Sequence, residues 1–353
     1  MDLLMVAQPT GIWETILFAI ESWVGNYAIA IILITIAIKL IMLPFDFMNK
    51  VVTKKNTRKQ AEMKPELDKL KARYGNNQEM LQKKTLELYK AKNYKMGGMC
   101  GVMLANMAVS MLIFFTLLGS LNNIANYKIY TEYDNVRAAY TATYETVYNE
   151  ATINGIPADV EFETVEEYAT AKAQDAAAEK YGEVRTGFLW IKNIWLPDSR
   201  KSPIMSYEDF SGYVEKLDKE AIPTEEEYNM VMGSLKDNEE YSGANGFYIL
   251  CILAAGSTWA STYINSLVSK WKAKKKGVLL QGQDMNKSLN IILPLIMGLF
   301  TLFYTASFGL YIVTSSLFTT IAGIFVTMIV DKIDEKVANK EKLKTTNSYD
   351  RKI

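Results

Sequence analysis

One apolar run constrains this chain more than any other feature. Residues 27–45, YAIAIILITIAIKLIMLPF, contain a single charged residue, Lys39. A helix that crosses the hydrocarbon core of a bilayer needs roughly 20 apolar residues. Four further runs approach or exceed this length, so the sequence predicts an all-α polytopic membrane protein with five transmembrane helices. The expected transmembrane segments are 26–48, 98–125, 246–268, 289–305 and 307–330.

The charged residues are distributed unevenly between these segments. Residues 50–95 contain 14 Lys or Arg and 5 Asp or Glu, and residues 269–288 contain 6 and 1. Residues 126–245 contain 11 and 24. Because loops rich in Lys and Arg stay in the cytoplasm, the first two segments are expected there. Five crossings then place the N-terminus outside and a tail, residues 331–353, in the cytoplasm.

Two parts of the chain are expected outside. Residues 1–25 include GIWETILFAIESWVG, whose apolar residues share one helical face opposite its glutamates, which is typical of an interfacial amphipathic helix. Residues 126–245 form an acidic segment rich in tyrosine, which we expect to be an enlarged, mostly helical extracytoplasmic insertion. Its sequences TVEE and TEEE, beginning at Thr164 and Thr224, are capping-box patterns that open helices.

Residues 49–97 predict a cytoplasmic basic helical hairpin. The sequence RYGNNQE lies near its centre, and Tyr74, Gly75 and Asn76 form the expected turn. Each flanking arm, about 20 residues long, is rich in residues that favour helices.

The composition excludes several classes of chemistry. The chain has no histidine, so imidazole bases and histidine metal ligands are excluded. The two cysteines, Cys100 and Cys251, both lie in apolar runs and do not predict a disulfide framework. No glycine-rich phosphate loop precedes a helix. We therefore expect neither an enzyme nor a protein that binds a nucleotide, metal or other cofactor.

Lys39 allows two interpretations. A charge near the centre of a membrane span costs at least ~2.5–3.5 kcal/mol when it faces lipid, so it marks a functional site by default. Its side chain could instead extend toward the headgroups at the cytoplasmic end of the helix. Several other spans carry polar side chains, which must face protein or water. A hydrated groove open to the cytoplasm would hold both the cation and these groups.

Four stretches in order resemble one family. They are IKLIMLP, MKPELDKLKARYGNNQEMLQKKTLELYKA, GFLWIKNIWLPD and GLYIVTSSLFTTI. Together they resemble the YidC/Oxa/Alb membrane-protein insertases in the form found in Gram-positive bacteria. Lys39 stands at the position of the arginine in that family's groove, where it keeps the charge and lacks the planar guanidinium. The outer insertions, 128–185 and 199–244, are larger than expected for that form.

The resemblance implies a membrane protein insertase and chaperone of the bacterial cytoplasmic membrane. It would insert and help fold integral membrane proteins through a hydrated, positively charged groove, alone or with the Sec translocon and without a nucleotide. The implied partners are nascent membrane proteins, the ribosome, the Sec translocon and the lipid bilayer. The hairpin turn would receive the substrate. The implied groove residues are Lys39, Thr35, Asn106, Ser110 and Thr314.

Two other interpretations stay open at this point. A small-solute transporter or channel would show inverted repeats, broken helices or further charges inside the membrane. A surface-binding protein would bind its partner through the acidic segment and would use the spans as a membrane anchor. An insertase core with an outer domain that binds clients or partners combines features of both classes.

Overall fold

A computed structural model of the chain describes residues 6–92, 94, 96–275 and 283–350. Within this part the regular elements are helices, with one isolated bridge between Phe188 and Ile191, so the all-helical expectation is confirmed there. Short 3₁₀ turns lie at Lys219–Ala221 and Ser234–Lys236. The α-helices are α1 Ile12–Val24, α2 Tyr27–Tyr74, α3 Gln78–Ala91, α4 Met96–Asn154, α5 Val165–Val184, α6 Tyr207–Val214, α7 Glu225–Met232, α8 Ile249–Lys275, α9 Gln283–Phe303 and α10 Ala306–Asp350.

Three helical stretches are long and apolar enough to cross a membrane: Tyr27–Asn56, Leu104–Asn154 and Ala306–Val337. Two shorter apolar stretches, Ile249–Ile264 and Ile291–Phe303, lie in α8 and α9. Both are shorter than the roughly 20 residues that a perpendicular span needs. Three membrane helices are therefore supported by length and composition, and the expected total of five stays a prediction.

The two longest helices continue past the ends of their apolar parts. α2 runs for 48 residues, through the position near residue 48 where the sequence places the end of a span. α4 runs for 59 residues, through the position near residue 125. The stretch after residue 48 is rich in lysine and arginine, which favour continued helix. At 1.5 Å per residue, α4 is roughly 90 Å long, about three times the thickness of the hydrocarbon core.

The chain divides into two compact units. Unit 1 contains residues 1–35, 116–256 and 294–314, and unit 2 contains 36–115, 257–293 and 315–353. Part of the basic loop expected at 269–288 lies outside the described residues, since 276–282 are not described, and so does the end of the tail, 351–353.

In unit 1, α1 packs its acidic side against α4. Glu14 is buried and accepts a 3.4 Å hydrogen bond from Asn123. Lys128 donates to Glu21 at 2.8 Å and lies over the ring of Phe18 at 5.5 Å. These contacts leave several apolar side chains of α1 exposed: Ile12, Ile16 and Trp23. The glutamates of the amphipathic pattern thus bind side chains of α4.

An aromatic core organises the acidic segment of unit 1. Tyr133 of α4 lies 4.8 Å from Phe210 of α6 and 5.5 Å from Tyr228 of α7, measured between ring centroids. Burial raises the pKa of the Tyr228 hydroxyl, which donates to the Met205 carbonyl at 3.0 Å. Short helices with few apolar residues are therefore held by stacked rings.

Both helix starts that the sequence predicts in this segment are confirmed. Thr164 is the N-cap of α5 and accepts a hydrogen bond from the Glu167 backbone. Thr224 is the N-cap of α7, where Thr224 and Glu227 form the full reciprocal capping box. Each cap satisfies backbone donors that the first helical turn leaves unpaired.

Candidate functional site

Lys39 lies on α2 in unit 2, at the edge between a buried and an exposed face. Ile38 and Met42 are buried, whereas Leu40 and Ile41 are exposed, and Lys39 itself is half-buried. Among the described residues, no hydrogen bond or ion pair reaches its ammonium group. A charged group without a protein partner needs water, because the hydrocarbon core offers it none.

A polar contact between α2 and α4 lies two helical turns after Lys39. The Asn106 amide of α4 donates to the Asp46 carboxylate of α2 at 3.3 Å. The side-chain oxygen of Asn106 is buried and has no hydrogen-bond partner within the described part of the chain. The structure therefore brings Asn106 to Asp46 rather than to Lys39. Sequence reasoning passed over Asp46 because it follows the apolar run and reads as its boundary.

The α4 stretch in unit 2 leaves most of its surface uncovered. Nearly every described side chain from Leu104 to Leu112 is exposed, including that of Ser110, and Asn106 is the half-buried exception. A membrane helix that contacts few protein side chains offers its sides to lipid or to a passing apolar segment. Ser110 lies on this surface with no hydrogen bond to another described residue.

The two other expected groove residues belong to unit 1. Thr35 is fully buried, and its hydroxyl donates to the Ile31 carbonyl at 2.6 Å within the same helix. Thr314 is half-buried on α10. The Thr35 hydroxyl is thus already used by its own backbone. A β-branched hydroxyl in a helix commonly bonds the carbonyl four residues earlier, which sequence reasoning could have anticipated.

A row of paired cations follows Lys39 along α2 in unit 2. Lys50 donates to the Gly323 carbonyl at 2.7 Å and to the Thr327 hydroxyl at 2.6 Å. One turn later Lys54 pairs with Asp331, and Arg58 then reaches Asp334 at 3.5 Å. We call the contacts of these three cations with α10 the α2–α10 ladder. The cations are four residues apart and so share one helical face.

The expected hairpin turn lies between α2 and α3. Tyr74 ends α2, and its carbonyl accepts from Asn77 at 2.9 Å. Asn77 caps α3 by accepting from Met80 at 3.0 Å. A Cβ at Gly75 would lie 2.7 Å from the Lys71 carbonyl oxygen, so this position requires glycine. Asn76 is exposed at the tip.

The arms of this hairpin border a shallow, open cleft. The cleft has a volume of about 350 Å³, and its lining combines the apolar Leu70, Leu88 and Ala91 with two lysines and two glutamates. Glu66 on one arm pairs with Lys92 beyond the other at 2.7 Å. Met80 and Leu86 of α3 are exposed. This arrangement offers a short apolar segment a partly covered surface.

Comparisons with known proteins point to one family. A family model described as "60Kd inner membrane protein" matches residues 19–333. Three relatives carry the name "Membrane protein insertase YidC". The relative from Fusobacterium nucleatum is 36% identical over 103 residues, which are 29% of this chain and 46% of that protein.

The two other relatives match a similar share of this chain. The protein from Caldanaerobacter subterraneus is 33% identical over 98 residues, 28% of this chain and 46% of its own length. The protein from Methylobacillus flagellatus is 32% identical over 106 residues, 30% of this chain and 18% of its own length. The chain thus matches less than half the length of each of these relatives.

Proposed function

Since the chain belongs to the 60Kd inner membrane protein family, the YidC/Oxa/Alb family of the sequence resemblance, we propose that it inserts membrane proteins into a bacterial membrane. In this proposal, Lys39 keeps a groove between the spans hydrated and positively charged. The groove lowers the cost of moving a short polar segment of the client across the hydrocarbon core. No covalent step and no nucleotide are needed.

The observation that carries the proposal is the half-buried Lys39, which makes no hydrogen bond or ion pair with any described residue, on a helix long and apolar enough to span a membrane. Keeping a cation in this state costs free energy, and an apolar residue in place of Lys39 would avoid that cost. Three later cations of the same helix find partners on α10, so α2 does not lack the means of pairing. A role in attracting water and acidic client residues accounts for a cation that makes no hydrogen bond or ion pair with another described residue, the nearest named carboxylate being Asp46 two turns away.

The exposed stretch of α4 supports the path that a client would take. Its side chains from Leu104 to Leu112 are apolar except for Asn106 and Ser110. A client helix could contact this apolar surface while its polar flank stays near the cation. Helices associate in the membrane through such van der Waals contacts and a few polar groups. In this proposal, the client leaves the groove sideways into lipid.

The cytoplasmic hairpin is the proposed place of substrate reception. Its cleft combines apolar side chains for hydrophobic segments with two lysines and two glutamates. In this proposal, the turn at Tyr74, Gly75 and Asn76 receives the client first. The 14 basic residues among residues 50–95 favour contact with ribosomal RNA at the exit of the nascent chain. Cooperation with the Sec translocon is part of the same proposal.

The proposed topology follows from the charge distribution. The hairpin and the tail lie in the cytoplasm, and the N-terminus and the acidic segment lie outside. The exposed apolar side of α1, with Ile12, Ile16 and Trp23, would then lie in the outer interface of the bilayer. The acidic segment is available there for clients or partners.

The test uses the purified full-length chain in proteoliposomes. Ribosome-bound chains of a short membrane protein and of a soluble protein are offered without an added translocon, and protease protection is measured. We expect protection of the membrane protein alone, in proportion to the amount of chain in the vesicles. Equal protection in empty vesicles would contradict the proposal. Flux of small ions or solutes without client insertion would favour the transporter or channel interpretation.

A further inference from the structure

A strained two-residue turn in unit 1 exposes a large apolar side chain. Phe188 and Ile191 exchange backbone hydrogen bonds of 2.9 and 3.0 Å, with Leu189 and Trp190 between them. Leu189 has φ of 54° and is 75% exposed. A branched residue at positive φ costs conformational energy that glycine or asparagine would avoid. We therefore expect the Leu189 side chain to contact something other than this chain.

A second strained apolar pair lies immediately before α8. Phe247 is 57% exposed, and Tyr248 is exposed with φ of 61°. Together with Leu189 and Trp190 they form what we call the aromatic rim. Here, too, a bulky residue occupies the left-handed region without burying its side chain.

One buried carboxylate holds both parts of the aromatic rim. Asp198 is almost completely buried and accepts from the Phe247 and Leu250 backbone amides at 2.8 and 2.6 Å. The Trp190 indole donates to the same carboxylate at 3.5 Å. A Cβ at Gly246 would lie against this carboxylate, so only glycine allows the approach. The rim is thus a built feature whose two halves share an anchor.

Contacts of the backbone place this anchor at the ends of apolar helices. The Ala306 amide donates to the Leu196 carbonyl at 2.8 Å, and the Ser307 amide donates to the Ile194 carbonyl at 2.9 Å. These contacts join the segment to the turn between α9 and α10, while Asp198 joins it to the start of α8. The rim therefore lies where these apolar helices begin and end.

We propose that the aromatic rim inserts into the headgroup and upper acyl region of the lipid leaflet on the side of the acidic segment. Trp and Tyr favour this interface because each combines an apolar ring with a polar group. Leu189 would reach the acyl chains. The rim is continuous with the start of the apolar helix α8, where Ile252 is also exposed, and this continuity favours lipid over a protein partner. This inference depends on membrane spanning and is independent of the proposed insertase activity.

The test measures depth in the membrane with spin labels. In a full-length Cys100→Ala/Cys251→Ala background, single cysteines replace Leu189, Phe247 or Ile153 and are labelled in vesicles. Ile153 is the matched control, because it is apolar and 81% exposed. It lies on α4 28 residues beyond residue 125, where the sequence places the end of the span, and so ~42 Å from the membrane end at 1.5 Å per residue. Collisions with oxygen, which concentrates in lipid, are compared with collisions with a water-soluble nickel chelate.

We expect the oxygen-to-nickel collision ratio at 189 and 247 to be several-fold higher than at 153. A ratio at 189 equal to that at 153 would overturn the proposal, even if 247 were shielded by its position next to α8. Low collision with both reagents at 189 would also overturn it, because protein would then cover the rim. Circular dichroism and gel filtration of each labelled chain would verify that it is folded.

Discussion

The cations in the apolar first half of α2 and those in its continuation differ in whether they have partners. Lys39 lies in the apolar part and has no ion-pair or hydrogen-bond partner within the described part of the chain. Lys50, Lys54 and Arg58 lie beyond that part and all contact α10. Paired cations near water contribute modestly to stability, whereas an unpaired cation in the membrane lowers it. The cation that costs the most is therefore the best candidate for function.

The largest expected effect comes from reversing the charge at Lys39. Lys39→Glu should lower the client insertion rate at least about tenfold, equivalent to about 1.4 kcal/mol, because the groove would repel acidic client segments. Lys39→Ala should show a smaller loss, and Lys39→Arg should keep most of the rate. The rate is measured by protease protection in proteoliposomes with Lys50→Ala as the control variant. Normal insertion rates for both Lys39→Ala and Lys39→Glu would contradict the proposed role of Lys39 in the groove.

Moving the cation along the same face should restore part of the lost rate. Leu43 is one turn after Lys39 and half-buried, whereas Ile41 is exposed on the opposite side of α2. In a Lys39→Ala background, Leu43→Lys should recover about half of the insertion rate or more, because the groove needs charge and water rather than one fixed contact. Ile41→Lys should recover none. Equal recovery from both positions would show that the groove has no defined face.

The α2–α10 ladder should affect stability rather than insertion. A double-mutant cycle of Lys54→Ala and Asp331→Ala, measured by thermal unfolding in detergent, should give a coupling of about 1 kcal/mol. The exposed Lys84–Glu87 pair of α3 is the matched control and should couple more weakly. Insertion by folded Lys54→Ala should stay within about twofold of normal. Loss of insertion without loss of stability would assign these cations a functional role.

The smallest effect is expected at Thr35. Its hydroxyl is bonded within its own helix, so Thr35→Val keeps the shape and removes only that local bond. The insertion rate should change by less than about twofold, measured in the same assay. A loss as large as that of Lys39→Ala would support Thr35 as a groove residue.

The sequence predicts local features of this molecule better than contacts between distant segments. The caps at Thr164 and Thr224 were predictable because a capping pattern involves four neighbouring residues. The turn at Gly75 lies in a similarly local pattern. The burial of Glu14 was not predictable from the amphipathic pattern of α1, because it depends on Asn123, 109 residues away.

The candidate site shows the same division. Lys39 was identifiable from the sequence because one charge in an apolar run is a local anomaly. The fold was needed to show that no described residue forms a hydrogen bond or ion pair with it, and to show the pairing of Lys50 with Thr327 across 277 residues. Asn106 was selected as a groove residue, yet its contact with Asp46 depends on how α2 and α4 meet. The polarity of a side chain in a span shows that it needs a partner, but it does not identify that partner.

The most direct test of the central claim is site-specific photocrosslinking along α2. A photoreactive residue replaces Ile36 or Leu43 on the Lys39 side, or Ile41 on the opposite exposed side, and ribosome-stalled nascent chains are offered. The account predicts crosslinks from 36 and 43 to membrane-protein chains, little from 41, and none to a stalled soluble protein. Absence of crosslinks from 36 and 43, or equal crosslinks from 41, would contradict a client groove at Lys39.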